Sequence, residues 1–486
     1  MRSFNLLLTL IIFTLFLFYA CNEETTIIPI PDIDDTNNGF QSKAVAEIFV
    51  KNCATSGCHT GSSPSSGLSL NKFSELITGS LNRSGGTIPN YGGDVVIPFR
   101  LQESLLYQMM IGTVTPTAPH DVLSLKQADI DTIKNWIMNG TRDYSNNLPF
   151  SNPGYRVYVC NQKSDMVSVI DGNSKVVSRL IDVTQPSLQA ATPHMVKVRD
   201  GFLYVTLIGA GKILKIKTDD YSVVGEVSGI TKAGMIQISP DGSKAYVSRS
   251  STSVANEFNS IALVNIPSMT LLKQINFPYP NGGVPHGMAL TPDGTKLYVA
   301  NLTLDRVAIV NGLTDEYGDY DDIILPQGTQ PMQANISPDG KYLYICARGT
   351  AKLLVYDTST DMLVTEIPVS GMPMHIAITS DGNKIYVGSM MMHNVNVIQK
   401  NEETWTKIKD ITHPGFRMLH GCDITSDDKY IYVSSRNEDG GFSPYFRVTG
   451  ENNRSNIGII DTQTDEVIKL IEIEEFGTGL VVEKLN

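Results

Sequence analysis

The chain has 486 residues, too many for one compact domain, so two or three are expected. Hydrophobic residues at 41% and charged residues at 18% exclude disorder along the whole length, because ample apolar surface exists for a core. A net charge of −12 makes the chain a poor nucleic-acid binder by bulk electrostatics. Gly at 40 and Tyr at 20, with only 2 Trp, favour strands and turns over a helical bundle. The six cysteines, Cys21, Cys53, Cys58, Cys160, Cys346 and Cys422, are too scattered for a disulfide framework.

Residues 1–20 carry Arg2 and then an apolar run from Leu6 to Phe18. That run is short for a membrane span and fits the core of an export signal. It ends Phe18-Tyr19-Ala20-Cys21, which resembles the lipobox of bacterial lipoproteins, with Phe18 in place of the usual Leu. The resemblance implies cleavage before Cys21 and lipidation of its thiol. Acidic Glu23 and Glu24 just after it resemble surface-export signals of some outer-membrane lipoproteins. Residues 21–40 read as a flexible, polar tether.

The sharpest chemistry is Cys53-Ala54-Thr55-Ser56-Gly57-Cys58-His59. Two thiols can add to the two vinyl groups of haem, and the histidine after the second thiol can ligate the iron. The spacing is Cys-x4-Cys-His, two residues wider than the usual motif, and Gly57 can supply the backbone angles of the bulge. A zinc reading needs further ligands at suitable spacing, and no second pair occurs. Ser42 to Lys51 reads as a helix with Val45, Ile48 and Phe49 on one face. Ser124 and Gln127 form a capping box for a last helix striped by Ile130, Ile133 and Ile137 and stopped at Gly140. The order of these pieces over residues 41–147 resembles the cytochrome c-like domains of exported fusion proteins. That resemblance implies haem c, held covalently by Cys53 and Cys58, with His59 as proximal ligand. The family's Met-Pro pair before the last helix is missing. In its place stand Pro119 and His120, so the expected distal ligand is His120, or Met109 or Met110 from the preceding apolar segment, with an open site as the remaining alternative.

From Tyr155 onward the sequence repeats with a period of about 47 residues. Tyr158-Val159, Tyr204-Val205, Tyr246-Val247, Tyr298-Val299, Tyr344-Ile345, Tyr386-Val387 and Tyr432-Val433 each sit in a strand pattern. Five follow tight turns such as Ser239-Pro240-Asp241-Gly242. Four strands per repeat and seven repeats indicate a β-propeller over residues 155–486. The first blade lacks an innermost strand, and the chain ends with one, Gly479-Leu480-Val481-Val482, so the C-terminus closes the ring. Tyr298-Val299-Ala300-Asn301 and Tyr158-Val159-Cys160-Asn161 resemble the YVTN family of exported propellers.

Aligning the innermost strands gives one column: His194, Gly234, His286, Met332, Met374, His420 and Thr478. It lies near the face where these strands begin. His375 adjoins it, and His393 and His413 fall in loops of the same face. Histidines from several blades can hold copper, with Met332 and Met374 as soft ligands, or the imidazoles can simply bond backbone carbonyls. Propeller oxidoreductases such as nitrous oxide reductase hold copper on such rings, but their full ligand set is not seen here. Arg249, Arg348 and Arg436 follow Tyr-Val strands on that face and can bind an anion. Cys160, Cys346 and Cys422 read as buried, inert thiols.

The fold expected is therefore a small all-α cytochrome c domain followed by an all-β seven-bladed propeller. The resemblances imply an exported electron-transfer lipoprotein, periplasmic or at the cell surface and held to the outer membrane by its N-terminal lipid. Its partner is a redox protein or a small molecule. Two other functions remain open at this point. One is a propeller oxidoreductase using a metal or anion site at His194, His286 and His420. The other is a non-enzymatic surface-binding module.

Overall fold

The Tyr-Val segments are buried along almost their whole length, because each blade packs on both faces, and the structure is a ring of such blades. The computed structural model describes residues 34–83, 87–115, 125–185, 190–250, 259–279, 282–444, 447–448 and 453–483. Cys21, the export signal, most of the tether, Ser124 and His120 lie outside them. Seven antiparallel sheets form the propeller. The innermost strands of blades 2 to 7 are Pro193–Arg199, Ala233–Ile238, Pro285–Leu290, Pro331–Ile336, Pro373–Ile378 and Leu419–Ile424. Blade 1 takes its innermost strand, Gly477–Glu483, from the C-terminus, and it pairs with Arg156–Asn161 in the register Tyr158 to Val481. The closure is reinforced by Tyr158, whose hydroxyl donates to Glu483 at 2.8 Å, and by Arg156, 3.2 Å from the same carboxylate.

The turns before the Tyr-Val strands are held by their own side chains. Ser239 Oγ donates to Asp241 Oδ1 at 2.6 Å, the Ser243 amide donates to the same oxygen at 3.0 Å, and Gly242 takes φ +72°. Thr291, Ser337, Thr379 and Thr425 repeat the hydroxyl-to-aspartate bond. A second repeated device joins neighbouring blades. Lys244 and Tyr246 of blade 3 reach Asp315 of blade 4, with Lys244 Nζ at 2.9 Å. Lys296 and Tyr298 reach Asp361 of blade 5 at 2.7 and 2.6 Å. Lys384 and Tyr386 reach Asp465 of blade 7 at 2.7 Å each. Blade 5 uses Lys341 and Tyr342 on Glu403.

Among the described residues, the N-terminal part forms four short α-helices around a small apolar cluster. Helix α1 (Lys43–Asn52) begins where Ser42 Oγ accepts from the Val45 amide at 3.3 Å, and it buries Val45, Ile48 and Phe49 as expected. Helices α2 (Phe73–Thr78), α3 (Leu105–Met110) and α4 (Gln127–Met138) follow. Phe40, Phe49, Phe73 and Trp136 meet edge-on or stacked in the cluster, and Ile133 and Ile137 close it. Trp136 is thus central rather than flanking, and its indole N–H donates to the Arg142 carbonyl at 3.0 Å. The expected capping box is corrected: α4 starts after Lys126, which makes no side-chain cap. Gly140 does end it, at φ +93°.

This helical segment is not a separate all-α domain, which corrects that expectation. Two short strands stitch it to the propeller. Tyr91–Gly92 runs parallel to Glu466–Glu475, the outermost propeller strand of blade 7. Val114–Thr115 pairs antiparallel with Arg447–Val448, in the connection after the second strand of blade 7. Asn90 Nδ2 donates to the Val467 carbonyl at 2.7 Å, and Arg100 Nη2 donates to the Leu180 carbonyl at 3.1 Å. Such edge pairing also covers an otherwise open strand edge. Among the described residues, no helix is long and apolar enough to cross a membrane.

Candidate functional sites

At the end of α1 the chain folds back on itself. The Cys58 amide donates to the Thr55 carbonyl at 3.0 Å, and the His59 amide donates to the Cys53 carbonyl at 3.2 Å. Gly57 sits at φ +78° with open space where a Cβ would point. The wide Cys-x4-Cys loop is thereby closed, with Cys53 capping α1 and Cys58 on the outer turn. Both residues keep their thiols rather than forming a disulfide. Burial, and then the neighbouring Cys58, push the Cys53 thiol up to about 12.

The ring of His59 is oriented by its own backbone surroundings. Its Nδ1 lies 3.0 Å from the Leu68 carbonyl oxygen. That pairing makes Nδ1 the protonated nitrogen and assigns Nε2 to any metal. The segment that bears Leu68 is tied to the motif, since the Leu70 amide donates to the His59 carbonyl at 3.0 Å. Burial lowers the imidazole pKa, against the carbonyl contacts of Leu68 and Ser65, which favours the neutral form a metal needs. Two thiols, a neutral imidazole of fixed tautomer and an apolar wall form a donor set that fits haem c. Of the distal candidates, Met110 packs against the apolar cluster, Met109 is partly exposed, and His120 lies outside the described residues.

The second site is at the channel. In an up-and-down blade the innermost strand starts at the face where the second strand ends, so the column and Arg436 share one face. His194, Gly234, His286, Met332, Met374, His420 and Thr478 each take the second position of their strands, as the alignment required. The histidines converge. The rings of His194 and His286 are 5.9 Å apart, those of His194 and His420 6.0 Å, and those of His375 and His420 4.9 Å. All four side chains are buried. His286 Nδ1 pairs with the Met332 carbonyl at 3.0 Å, bridging blades 4 and 5, which is the structural role open in the sequence. His194 Nδ1 lies 3.4 Å from Gln162 Nε2. By contrast, His194 Nε2, His375 Nε2 and both ring nitrogens of His420 are buried without a hydrogen-bond partner.

Burial keeps all four imidazoles neutral, taking His286 to about 4 and His375 to about 3, with Arg436 adding to the effect on each. Hydroxyls complete the ring: Thr478 Oγ1 donates to the His194 carbonyl at 3.1 Å, and Ser250 Oγ donates to the Pro285 carbonyl at 2.8 Å.

Other expected members go elsewhere. Met332 and Met374 pack in an apolar cluster of blades 5 and 6. His393 Nδ1 accepts from the Met418 amide at 2.9 Å. His413 Nε2 pairs with the Pro89 carbonyl at 2.9 Å and so holds the helical segment. Arg249 is committed to Ser260 and Gln274 at 3.0 and 2.7 Å. Cys160, Cys346 and Cys422 are buried in strands, as expected. Among the described residues, no group of three or more His, Cys, Asp or Glu is arranged to hold a metal ion.

Comparison with known proteins agrees on the propeller. Residues 209–316 and 324–414 match the family described as lactonase, 7-bladed β-propeller. Antigen Lp49 of Leptospira interrogans is 28% identical over 201 residues, 39% of this chain and 41% of that protein. The match thus spans about two-fifths of that relative's length. A functionally unknown protein from Desulfotomaculum acetoxidans superimposes with a TM-score of 0.56 at 15% identity, covering 68% of this chain and 99% of its own. The periplasmic gluconolactonase PpgL of Pseudomonas aeruginosa does so at 0.54 and 14%, with the same coverage. The class defined by the fold is a seven-bladed β-propeller.

Proposed function

We propose that the chain is an exported c-type cytochrome whose propeller serves as docking or substrate-binding module. The observation that carries this reading is the His59 Nδ1 contact to Leu68 O beside the two thiols of Cys53 and Cys58. Cys53 and Cys58 would hold haem c by thioether bonds, and His59 would ligate its iron. Bound haem supplies one-electron transfer. The protein residues orient the imidazole and fix its tautomer, and Cys53 packs against the apolar cluster of Phe49 and Trp136. Cys21 is the proposed lipid attachment point, which gives a periplasmic or cell-surface location on the outer membrane. The partner is then a redox protein or a small molecule.

The family match over residues 209–316 and 324–414 favours a second reading, hydrolysis of a sugar lactone on the propeller. Two assays on one preparation separate them. A reversible redox titration of a bound haem, lost in His59→Ala, supports the cytochrome. Turnover of a gluconolactone that survives removal of the haem attachment cysteines supports the lactonase. A chain that takes up no haem refutes the first reading.

A further inference from the structure

The four channel histidines come from blades 2, 4, 6 and 7, so they surround the propeller axis rather than line one wall. Their ring centroids, 4.9 to 6.0 Å apart, bring the four imidazoles into one cluster at the axis. Four of those nitrogens are buried without a partner. Buried polar atoms of that number call for an occupant, because each unpaired group costs about 1–3 kcal/mol.

The charges around them decide its sign. Arg436 follows the second strand of blade 7 and has its guanidinium 4.6 Å from the Phe476 ring centroid. No ion pair of Arg436 occurs among the described residues, and its Nε is buried without a partner. Arg348 acts on His286 from the same face, and Lys197 acts on His375 from deeper in the channel. Two carboxylates act on these cations: Glu438 on Arg436, and Asp423 on Lys197, with Asp423 accepting from the amides of Ile424 and Val482 at 2.9 and 2.8 Å. The surroundings therefore hold more positive than negative charge, which disfavours a cation on the axis and favours an anion.

We propose that His194, His286, His375, His420 and Arg436 form a binding site for a small oxyanion at the mouth of the propeller channel. Neutral His194, His375 and His420 donate N–H groups from their unpaired nitrogens to its oxygens, His286, whose one N–H goes to the Met332 carbonyl, packs beside them, and the guanidinium supplies the countercharge. The site is independent of the haem reading, since none of its residues belongs to the helical segment.

Calorimetric titration of the full-length protein with inorganic phosphate, and separately with nitrite, tests this. The expected result is one saturable site per chain for at least one of the two. Its affinity falls at least tenfold in Arg436→Gln and in His420→Asn and is unchanged in Cys53→Ser/Cys58→Ser. The circular dichroism of Arg436→Gln should match the parent, which keeps the test valid if His420→Asn fails to fold. Three outcomes overturn the proposal: no stoichiometric binding of either anion, equal affinity in Arg436→Gln, or stoichiometric binding of cupric ion with no anion binding.

Discussion

The Arg83 guanidinium lies 3.5 Å from the Glu472 carboxylate, and both side chains are more than nine-tenths buried. Arg83 belongs to the helical segment and Glu472 to the outermost propeller strand of blade 7, so this pair joins the two parts of the chain. Burial raises the Glu472 pKa, and Arg83 pulls it back. A carboxyl raised in the folded state contributes stability that is fully present below its unfolded pKa and is lost as pH rises through the folded value. Arg83→Gln removes the opposing charge and lifts that value further. Stability at neutral pH should fall by about 3 kcal/mol, with partial recovery on acidification toward about pH 5. Urea denaturation at the two pH values checks both parts.

The C-terminal strand supplies the inner edge of blade 1, so ring closure depends on Leu480 and Val482, both buried. Leu480→Ala should cost about 2–5 kcal/mol. A chain ending at residue 476 should lose the cooperative unfolding transition of the whole propeller, because blade 1 then presents an open edge. Thermal unfolding by calorimetry reads both.

Tyr298 and Lys296 share the Asp361 carboxylate across the gap between blades 4 and 5. Tyr298→Phe leaves a partly buried carboxylate one donor short. The expected loss is about 1.5–3 kcal/mol, the range for a hydrogen bond to a charged group. Tyr246→Phe and Tyr386→Phe should give similar values, since they sit on the equivalent aspartates Asp315 and Asp465. Equilibrium unfolding of the three variants is the check.

Acid should act on the channel. His286 and His375 are depressed to about 4 and about 3 in the folded protein, against an ordinary value of 6.5. A depressed base makes the unfolded chain bind more protons, so its contribution to stability is full above about pH 6.5 and falls as pH drops toward the folded value. The groups that keep these rings neutral besides burial are Arg436, Arg348, Lys197 and the neighbouring imidazoles. For His286 alone the loss amounts to about 3 kcal/mol. His286→Asn should flatten the stability profile between about pH 6.5 and about pH 4, as followed by urea midpoints.

Much of this was legible in the chain. Period-two alternation and the turn residues set the blades, and the missing first strand with the spare last one set the closure. Aligning strand starts placed His194, His286 and His420 on one level, because that offset is a matter of register. His375 needed more. All seven innermost strands break register just after their first residue, for example between Pro373 and Ile376. Such a bulge suspends alternation, so second and third positions can both face the axis, and the third brings in His375. The Lys-x-Tyr before Val in three repeats, at Lys244, Lys296 and Lys384, was a visible signal for the inter-blade aspartate contact, which only the ring geometry explains. The stitching of the helical segment was not legible, because two-residue strands such as Tyr91–Gly92 are too short to carry a pattern.

The central claim is the haem at Cys53, Cys58 and His59. The most direct measurement is the absorption spectrum of the full chain, matured with the c-type attachment machinery and extracted to remove loosely held haem. The account predicts one covalently retained haem per chain, absent from the Cys53→Ala/Cys58→Ala variant. A chain that retains no haem after extraction, or retains it equally in that variant, contradicts the account.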